Sequence, residues 1–542
     1  MSSGSWLRCY YSMVPSFYVQ NFGCRATQAD GAAIERQFEG RGLDRASALA
    51  EAEIVVLNTC TVTSSADQDA RAAIRRVHRE NPQARIVVTG CYAQRSPEEL
   101  AALPGVSQVI GNSHKHQLAE IALPEGLRLA NSASDEASTF VPLRTLTATW
   151  DRSSRPTTDD RRLGSDQRPI FVSDIFAHTE LLAAPVFDAA NERTRPNLKV
   201  QDGCDNRCSF CVIPYVRGQS RSLKLDQILR EVNALVAAGY RELVISGINL
   251  GRWGRDLDAG FKSQVSGIGG RVSGSRSSIS AARRDEHTPS NLGLSHQPMT
   301  NDQRLGLGRR LATDDRRLVA LIRVILAHTS LEKLRISSVE PMDWSDELIE
   351  LVATSPRIAK HAHVPMQSGS DAVLRRMHRK YRPWHYREKI EKLRAAMPTA
   401  AIGADVMVGF PGESESEFAE TLQMIEELPF TYLHVFTYSA RPGTPGAEMP
   451  NQIPVRVARE RNRILRELGE RKKLSFMQGF IGRTVEAITL ARDSENAVRQ
   501  IFTEALTDNY LKLRLSGHHE PNQWIEAQVG RVDDGVLVAY IA

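Results

Sequence analysis

The sequence predicts an α/β protein with three folded domains, and three patterns along its 542 residues support this. Apolar runs alternate with amphipathic stretches near the amino terminus, the same alternation resumes in the middle of the chain, and period-two runs fill the end. Alternating strands and helices indicate parallel sheets, whereas period-two runs between turn residues indicate antiparallel ones. We therefore predict an N-terminal doubly wound parallel α/β domain, a central partial (β/α)6 barrel and a small C-terminal antiparallel β-barrel.

The first and second domains are each defined by strand-like runs separated by helical patterns. The N-terminal domain, 15–130, has its strands at 17–22, 54–57 and 86–88. The barrel domain, 193–450, has strand-like runs at 198–200, 243–245, 334–336, 363–364, 402–406 and 432–435, with helices at 223–238, 346–353, 384–396 and 415–427. Six β/α units in one domain predict a barrel or partial barrel.

Two segments lack any sustained apolar period. Residues 131–192 are rich in Ser, Thr, Asp and Arg, and 258–315 are rich in Ser, Gly and Arg. Neither composition can bury a core, so we predict a partly disordered linker and a disordered insertion on a barrel loop.

The last two parts of the chain are a basic connector and a small domain. The connector, 451–478, surrounds a Val/Ile/Leu stripe with basic side chains, namely Arg456, Arg459, Arg461, Arg463, Arg466, Arg471, Lys472 and Lys473. It is interpreted either as a solvated helix face or as a contact with RNA phosphates. The C-terminal domain, 479–542, has period-two runs at 484–490, 510–515, 524–529 and 535–541.

Composition limits the class of protein. With 41% hydrophobic and 25% charged residues, the chain has enough apolar material for several cores, so a wholly disordered protein is excluded. A net charge of +5 permits a nucleic-acid partner without requiring one. No run approaches the roughly 18 apolar residues of a membrane span, and no leader pattern opens the chain, so we expect a cytoplasmic protein with no membrane partner.

Seven cysteines lie at positions 9, 24, 60, 91, 204, 208 and 211. The number is odd and the spacing sparse, which argues against a disulfide scaffold and favours metal ligands or nucleophiles. Cys204, Cys208 and Cys211 form a C-x3-C-x2-C motif directly after the first barrel strand. Three thiolates suit an iron-sulfur cluster with one open metal position, and a zinc site completed from elsewhere is the alternative.

This spacing resembles the signature of radical S-adenosylmethionine (SAM) enzymes. The resemblance implies that Cys204, Cys208 and Cys211 are catalytic, holding three irons of a [4Fe-4S] cluster whose fourth iron binds SAM, which is then cleaved to a 5′-deoxyadenosyl radical. It also implies that certain residues bind this cofactor: Phe210 beside the adenine, and Gly247, Asn249, Glu340, Gln367 and Gly409 on loops at strand ends. A turn or packing role is the alternative for each of the latter five.

Cys24, Cys60 and Cys91 are far apart in sequence, but each follows a predicted strand, in the contexts NFGC, LNTC and VTGC. The carboxyl ends of parallel strands share one edge, so three thiols can converge there and leave a metal position open. Three separately buried thiols would be the alternative.

The stretches NTCTVT at 58–63 and VTGCYAQ at 88–94 resemble the methylthiotransferases, a branch of the radical-SAM superfamily. The resemblance extends to the C-terminal domain, which looks like a TRAM RNA-binding domain. It implies a second [4Fe-4S] cluster on Cys24, Cys60 and Cys91, and transfer of a methylthio group to an unactivated carbon. An electron donor such as flavodoxin or ferredoxin is also implied, whereas the sulfur donor is not identified.

The motif HVFTYSARPGTPG at 434–446 resembles the tRNA-directed members, with Arg441 where ribosomal-protein-directed members tend to carry an acidic residue. Together with HVPMQSGSD and LRRMHRKY, it resembles the type that acts on N6-threonylcarbamoyladenosine at position 37, in the anticodon loop. Thr27 departs from that pattern, since tRNA-directed members commonly have Asn there. The alternatives are N6-isopentenyladenosine, a ribosomal-protein aspartate, or a non-catalytic metal-containing RNA-binding protein.

Cys9 is left outside both triads. It precedes Met13, where the resemblance begins, so we predict Met13 as a possible start of translation besides Met1.

Overall fold

The computed structural model describes residues 15–123, 169–178, 181, 195–257, 317–490 and 502–541. The expectations for Cys9, Met13, the insertion 258–315 and most of the linker 131–192 therefore lie outside the described residues. The chain divides into two compact units. The first comprises 1–186, 204–219 and 439–448, and the second comprises 187–203, 220–438 and 449–542.

The first unit is built on a six-stranded parallel sheet with strand order β2-β1-β3-β4-β5-β6. Its strands are β1 (Ser16–Asn21), β2 (Asp44–Arg45), β3 (Ile54–Thr59), β4 (Arg85–Gly90), β5 (Val106–Gly111) and β6 (Ile170–Phe171). Its helices are α1 (Arg25–Glu39), α2 (Ser64–Glu80), α3 (Cys91–Arg95), α4 (Pro97–Ala101), α5 (Leu118–Ala122) and α6 (Ile213–Arg217), with one further turn at Pro445–Glu448.

Two apolar cores cover the two faces of this sheet. Ile34 and Phe38 of α1 pack with Val56 of β3 on one face, and Ile74 and Val77 of α2 pack with Val55 and its neighbours on the other. Helices on both faces are the mark of a doubly wound sheet, so that prediction is confirmed. The sequence pattern missed strands β2, β5 and β6, of which β2 and β6 are only two residues long.

The barrel domain in the second unit has seven strands, six of which are parallel and alternate with helices. Its strands are β7 (Asn197–Asp202), β8 (Arg221–Ser222), β9 (Glu242–Gly247), β10 (Lys333–Ile336), β11 (His361–His363), β12 (Ala401–Val408) and β13 (Tyr432–Thr437). Its helices are α7 (Leu225–Ala237), α8 (Arg317–His328), α9 (Asp346–Thr354), α10 (Asp371–Arg376), α11 (Pro383–Ala396), α12 (Glu415–Glu427) and α13 (Val455–Gln478).

These strands form sheets in the orders β10-β9-β7-β8 and β11-β12-β13, and parallel bridges such as Ser338 to His363 connect β10 with β11. Every strand pair is parallel except β7 with the two-residue β8. The predicted partial barrel of six β/α units is confirmed.

A closed five-stranded barrel ends the chain, with strand order β14-β15-β16-β18-β17. Its strands are β14 (Thr484–Thr489), β15 (Phe502–Thr507), β16 (Lys512–Ser516), β17 (Trp524–Asp533) and β18 (Val536–Ile541). The small barrel is confirmed, but it is not wholly antiparallel because β16 pairs with β18 in parallel. Strand β15 was not predicted from the sequence.

None of the helices in the described part of the chain is both long enough and apolar enough to cross a bilayer.

Candidate functional site

The structure brings Cys24, Cys60 and Cys91 to one edge of the N-terminal sheet. Cys24 follows β1 and caps α1, Cys60 follows β3, and Cys91 is the first residue of α3 after β4. Because β1, β3 and β4 are adjacent in the sheet, their carboxyl ends present the three thiols side by side. Convergence of this triad was predicted from the sequence, and the fold achieves it.

Glycines immediately before two of these cysteines allow the close approach. Gly23 has φ +107°, and a Cβ placed on it would lie 2.7 Å from the Cβ of Cys60. Gly90 has φ +99°, and a Cβ there would overlap the backbone carbonyl of Thr59. Both positions need the left-handed backbone and the missing side chain that only glycine supplies without strain. The GC pairs in NFGC and VTGC are therefore geometric requirements of the triad.

The three thiols of the triad differ in exposure, and they are close enough for the charge of one to shift the pKa of another. Cys24 is exposed, whereas Cys60 and Cys91 are buried. Burial, and then the charges of Cys91 and Cys24, raise the pKa of the Cys60 thiol to about 12, while Arg217 opposes the shift. A bound metal deprotonates a coordinating thiol outright, so this site favours a neutral thiol without metal and a thiolate with it.

A buried ionic cluster lies behind the triad. The Oδ2 atom of Asp30 is 3.0 Å from Lys115 Nζ and 3.0 Å from Arg217 Nη2, and all three side chains are at most 5% exposed. Lys115 also donates to Asn58 Oδ1 at 3.3 Å. The positive charge of Arg217 favours the thiolate form of Cys60 in the neighbouring triad.

Sequence reasoning missed this cluster because its members come from α1, the turn after β5 and α6. One signal was present: Asp30 lies on an otherwise alanine-rich buried face of α1, between Ala26 and Ala33. A carboxylate on such a face needs a partner, but the sequence does not say which one.

The loop carrying Cys204, Cys208 and Cys211 belongs to the first unit, so both triads lie in one compact body. The amide of Cys204 donates to Gly218 O at 3.0 Å, and that of Cys211 to Cys208 O at 3.1 Å, which closes the loop on itself. Helix α6 follows, and its residue Val216 packs against Cys91 together with Val212. Phe210 and the three cysteines of the loop are half-buried.

Asn112 connects helix α6, which follows the C-x3-C-x2-C loop, to the triad of Cys24, Cys60 and Cys91. Its Nδ2 lies 3.6 Å from Cys91 Sγ and donates to Val216 O at 2.7 Å. Together with Arg217, it fixes α6 against the sheet edge, so the segment after the C-x3-C-x2-C motif is tied to the residues that position Cys91.

Arg441 is buried, with its Nη1 2.8 Å from Asp67 Oδ2 and 3.2 Å from Thr61 O. Arg95 binds the same carboxylate oxygen at 2.8 Å. Arg441 therefore anchors the segment 439–448 beside the loop that follows Cys60. Thr27 stands where tRNA-directed members commonly have Asn. It is also buried, and its Oγ1 lies 3.6 Å from Cys24 Sγ.

The spacing of the thiols matters for the zinc alternative. Three sulfur ligands of one tetrahedral zinc would lie about 3.8 Å apart, given Zn–S bonds of about 2.3 Å. Among the described residues, neither cysteine triad has all three Sγ atoms within 4.8 Å of one another. Neither triad therefore has its three thiols preformed at the spacing of a single tetrahedral zinc.

The predicted SAM-cavity residues all lie in the second unit, at or after the carboxyl ends of barrel strands. Gly247 ends β9, and a Cβ on it would lie 2.9 Å from the Cβ of Gln201. Asn249 follows and donates its backbone N–H to Gln201 Oε1 at 2.7 Å. Gln201 thus holds this loop, which gives Gly247 a packing reason besides any ligand.

The other three candidates also have local partners. Gln367 has a left-handed φ of 62°, uncommon for a residue with a side chain and concentrated at functional sites. Gly409 has φ +75°, and a Cβ on it would lie 2.5 Å from that of Ala458. Glu340 pairs with Arg379. Whether these residues bind SAM stays a prediction.

Comparison with known proteins follows the same division of the chain. Residues 16–111 match the family model described as uncharacterized protein family UPF0004, and residues 198–250 and 304–425 match that of the radical SAM superfamily. The cysteine motif and the superfamily match together define a radical-SAM enzyme.

Among curated relatives, threonylcarbamoyladenosine tRNA methylthiotransferase MtaB of Bacillus subtilis is 32% identical, over 91% of this chain and 89% of that protein. The tRNA-2-methylthio-N(6)-dimethylallyladenosine synthase of Acidothermus cellulolyticus is 29% identical, over 87% and 77% respectively. Among solved structures, the radical SAM methyltransferase TsrM of Kitasatospora setae has a TM-score of 0.43 at 13% identity, over 80% of this chain and 77% of that one. The chain belongs to the radical-SAM methylthiotransferase family and is a transferase.

Membership of the radical-SAM superfamily implies one [4Fe-4S] cluster and SAM. Cys204, Cys208 and Cys211 fit that cluster, because three half-exposed thiols on one self-closed loop supply three ligands and leave an iron for SAM. The triad of Cys24, Cys60 and Cys91 fits a second cluster equally well by donor chemistry, with a positive charge buried behind it.

Proposed function

We propose that this protein transfers a methylthio group to C2 of N6-threonylcarbamoyladenosine at position 37 of tRNA, beside the anticodon. The observation that carries the proposal is the presence of two three-thiol sites in one compact unit. Support for the substrate comes from the names of relatives that match most of the chain. Relatives that act on dimethylallyladenosine also match, so that nucleoside is the second candidate.

The two triads have different roles in this proposal. Cys204, Cys208 and Cys211 would hold the cluster that, when bound, gives SAM an electron and splits its sulfonium bond. Cys24, Cys60 and Cys91 would hold a second [4Fe-4S] cluster, which supplies the site of sulfur for methylation and transfer. Phe210 would orient the adenine of SAM, and Gly247, Asn249, Glu340, Gln367 and Gly409 would line its cavity.

The surrounding residues orient these sites. Asp30 with Lys115 and Arg217 ties α6, which follows the loop of Cys204, Cys208 and Cys211, to the helix that Cys24 caps. Burial lowers the pKa of Lys115 overall, and Asp30 opposes that shift only in part, whereas Arg217 beside it cannot deprotonate. A retained buried cation stabilises thiolates and the negative charge of a thiolate-bound cluster.

Helix α13 supports a tRNA contact, although fewer of its basic residues can contribute than the sequence implied. Arg461 is buried and pairs with Glu413 at 2.7 Å, and Arg463 pairs with Glu460 at 2.6 Å. Four exposed arginines remain on the helix surface, and no carboxylate in the described part of the chain pairs with them, namely Arg456, Arg459, Arg466 and Arg471.

The closed five-stranded barrel beyond the helix supports a TRAM-like RNA-binding domain. An anticodon loop suits such an enzyme because an unpaired base enters a pocket without breaking a duplex.

The RNA contact is tested by replacing three of these arginines with glutamine, R456Q/R459Q/R466Q. We expect weaker tRNA binding and a salt dependence whose log–log slope falls by about one for each phosphate that the variant no longer neutralises. The matched control is Arg230→Gln, an exposed arginine on α7. Equal tRNA affinity for wild type and the triple variant would exclude α13 as the contact.

The substrate is tested by mass spectrometry of tRNA nucleosides from a strain that lacks the gene, with plasmid complementation as control. Loss of 2-methylthio-N6-threonylcarbamoyladenosine alone is the expected result. Loss of the 2-methylthio-isopentenyl nucleoside instead would favour the second candidate. Intact methylthiolated tRNA with an unmodified ribosomal-protein aspartate would favour that aspartate as the substrate.

A non-catalytic RNA-binding protein with structural metal is excluded by a separate measurement. Anaerobically reconstituted and reduced protein should contain about eight irons per chain, as two four-iron clusters require, and release 5′-deoxyadenosine from SAM. Zinc without iron, or no SAM cleavage, would contradict the proposed chemistry. A cytoplasmic location and an electron donor such as flavodoxin or ferredoxin stay predictions.

A further inference from the structure

The strands of the partial barrel are apolar on one face and polar on the other. Leu243 and Leu334 are fully buried on β9 and β10. The adjacent residues on these strands, Glu242 and Arg335, point the opposite way and pair at 2.7 Å. Since helices cover the outside of a β/α barrel, the polar face lines the interior.

Strands β11, β12 and β13 continue this polar face with a group of ring and acid side chains. The parallel register places His363 beside Gly403, and Asp405 beside His434. Leu433, the neighbour of His434, instead packs toward Gly469 of helix α13 on the outside. His363, Asp405 and His434 therefore share the interior face.

Ion-pair contacts and hydrogen bonds connect these side chains into one network. Asp405 Oδ1 is 3.1 Å from His363 Nε2 and 3.4 Å from His434 Nδ1. The other nitrogen of His363 is 3.0 Å from the Tyr432 hydroxyl, which also lies 2.7 Å from His361 Nε2.

The Tyr432 ring occupies the space over Gly403, where any Cβ would overlap it. Burial raises the pKa of Asp405, but the contacts with His363 and His434 lower it by more, so the carboxylate stays ionised.

Exposure increases along the network toward His434. The His363 side chain is 10% exposed, that of Asp405 28% and that of His434 63%. The Nδ1 edge of His434 is directed at Asp405, and no residue in the described ranges hydrogen-bonds its Nε2. An imidazolium in this position donates one N–H to Asp405 and offers the other to a ligand anion.

We propose that His434, oriented by Asp405 and His363, binds the carboxylate of the threonylcarbamoyl group and so selects the carboxylated adenosine over a prenylated one. The inference rests on the proposed function and names the residue that would determine its substrate. A prenyl group offers no hydrogen bond, so it would displace water from this polar network without replacing its hydrogen bonds.

A metal ion is the other ligand that two histidines and an aspartate suggest, and these three ligand atoms do lie within 4.8 Å of one another. The two ligands require different protonation: a carboxylate oxygen that accepts from both rings needs N–H groups on the facing nitrogens, whereas a metal needs those nitrogens deprotonated. Metal analysis of the purified protein therefore distinguishes the two.

The test uses the reconstituted holoenzyme and synthetic anticodon stem-loops with three nucleosides at position 37: N6-threonylcarbamoyladenosine, its neutral methyl ester, and N6-isopentenyladenosine. We expect His434→Gln to raise KM for the acid by about tenfold to 100-fold, the range of one charge-assisted hydrogen bond. KM for the ester should be unchanged by the substitution. His434→Lys, which keeps a cation, should retain a preference for the acid over the ester. His385→Gln, an exposed histidine on α11, is the control.

Release of 5′-deoxyadenosine from SAM shows that each variant is folded and loaded. Wild-type enzyme that methylthiolates none of the threonylcarbamoyl substrate overturns the proposed function. Wild-type activity on that substrate, combined with an unchanged KM in His434→Gln or an equal rise for acid and ester, overturns this inference alone. A bound metal other than cluster iron that His434→Gln loses also overturns it.

Discussion

Replacing Asp30 with asparagine tests whether the buried ionic cluster holds the N-terminal unit together. The substitution keeps the size of the side chain and removes the negative charge, which leaves Lys115 and Arg217 buried without their shared carboxylate. Arg217 cannot deprotonate to escape this cost. Removal of one partner from a buried ion pair typically costs about 3–5 kcal/mol.

Hydrogen exchange measured by mass spectrometry gives this cost for the N-terminal unit separately, which global unfolding of a multidomain chain does not. At about 1.4 kcal/mol per factor of ten, amides of β3 and β4 should exchange roughly 10² to 10⁴ times faster in Asp30→Asn. Asp226→Asn is the control, because Asp226 pairs with Arg230 at 2.9 Å on the exposed surface of α7. Exposed pairs contribute at most about 1 kcal/mol, so amides of α7 should accelerate less than about fivefold.

Less than tenfold acceleration in β3 and β4 would refute the reasoning, because the two cations would then not depend on Asp30. We also expect Asp30→Asn to retain less iron after reconstitution, since Arg217 belongs to the helix that packs on Cys91.

Three further predictions concern the cysteine sites. Gly90→Ala should destabilise the N-terminal unit by at least about 2 kcal/mol and lower its iron content, because φ is +99° and the new Cβ would overlap Thr59. Amide hydrogen exchange in β4 at the wild-type rate would contradict this. In cluster-free protein, iodoacetamide should label exposed Cys24 well before buried Cys60, as peptide mapping would show, and equal rates would contradict the burial. Cys208→Ala should abolish 5′-deoxyadenosine formation, whereas Cys60→Ala should keep it and lose the methylthiolated product. Product from Cys60→Ala would refute the second cluster's role.

The local pattern of the sequence was sufficient for most of the secondary structure. The period of apolar residues predicted helix 415–427 at the bounds the structure has, because a serine N-cap and an amphipathic stripe define it locally. Strands such as β15 were missed, and so was the parallel pairing of β16 with β18. Pairing direction depends on how the barrel closes, which no local pattern encodes.

The basic connector shows the limit of arguments from charge alone. Eight basic residues in 454–473 look equivalent in sequence, yet Arg461 is buried against Glu413, and Lys472 donates to the carbonyls of Glu426 and Leu428. Each of these contacts joins residues more than 40 positions apart in the sequence. Only the packing of α13 on the barrel determines which of its charges remain for a ligand.

By itself, the sequence determined the fold class, the two cysteine triads and the family, because repeated strand–helix units and cysteines placed after strands are local signals. The tertiary structure alone decided what surrounds them. Asp30 meets Arg217 and His434 meets His363 because sheet register and helix packing bring distant segments together, and a buried charge must be paired wherever the fold places its partner.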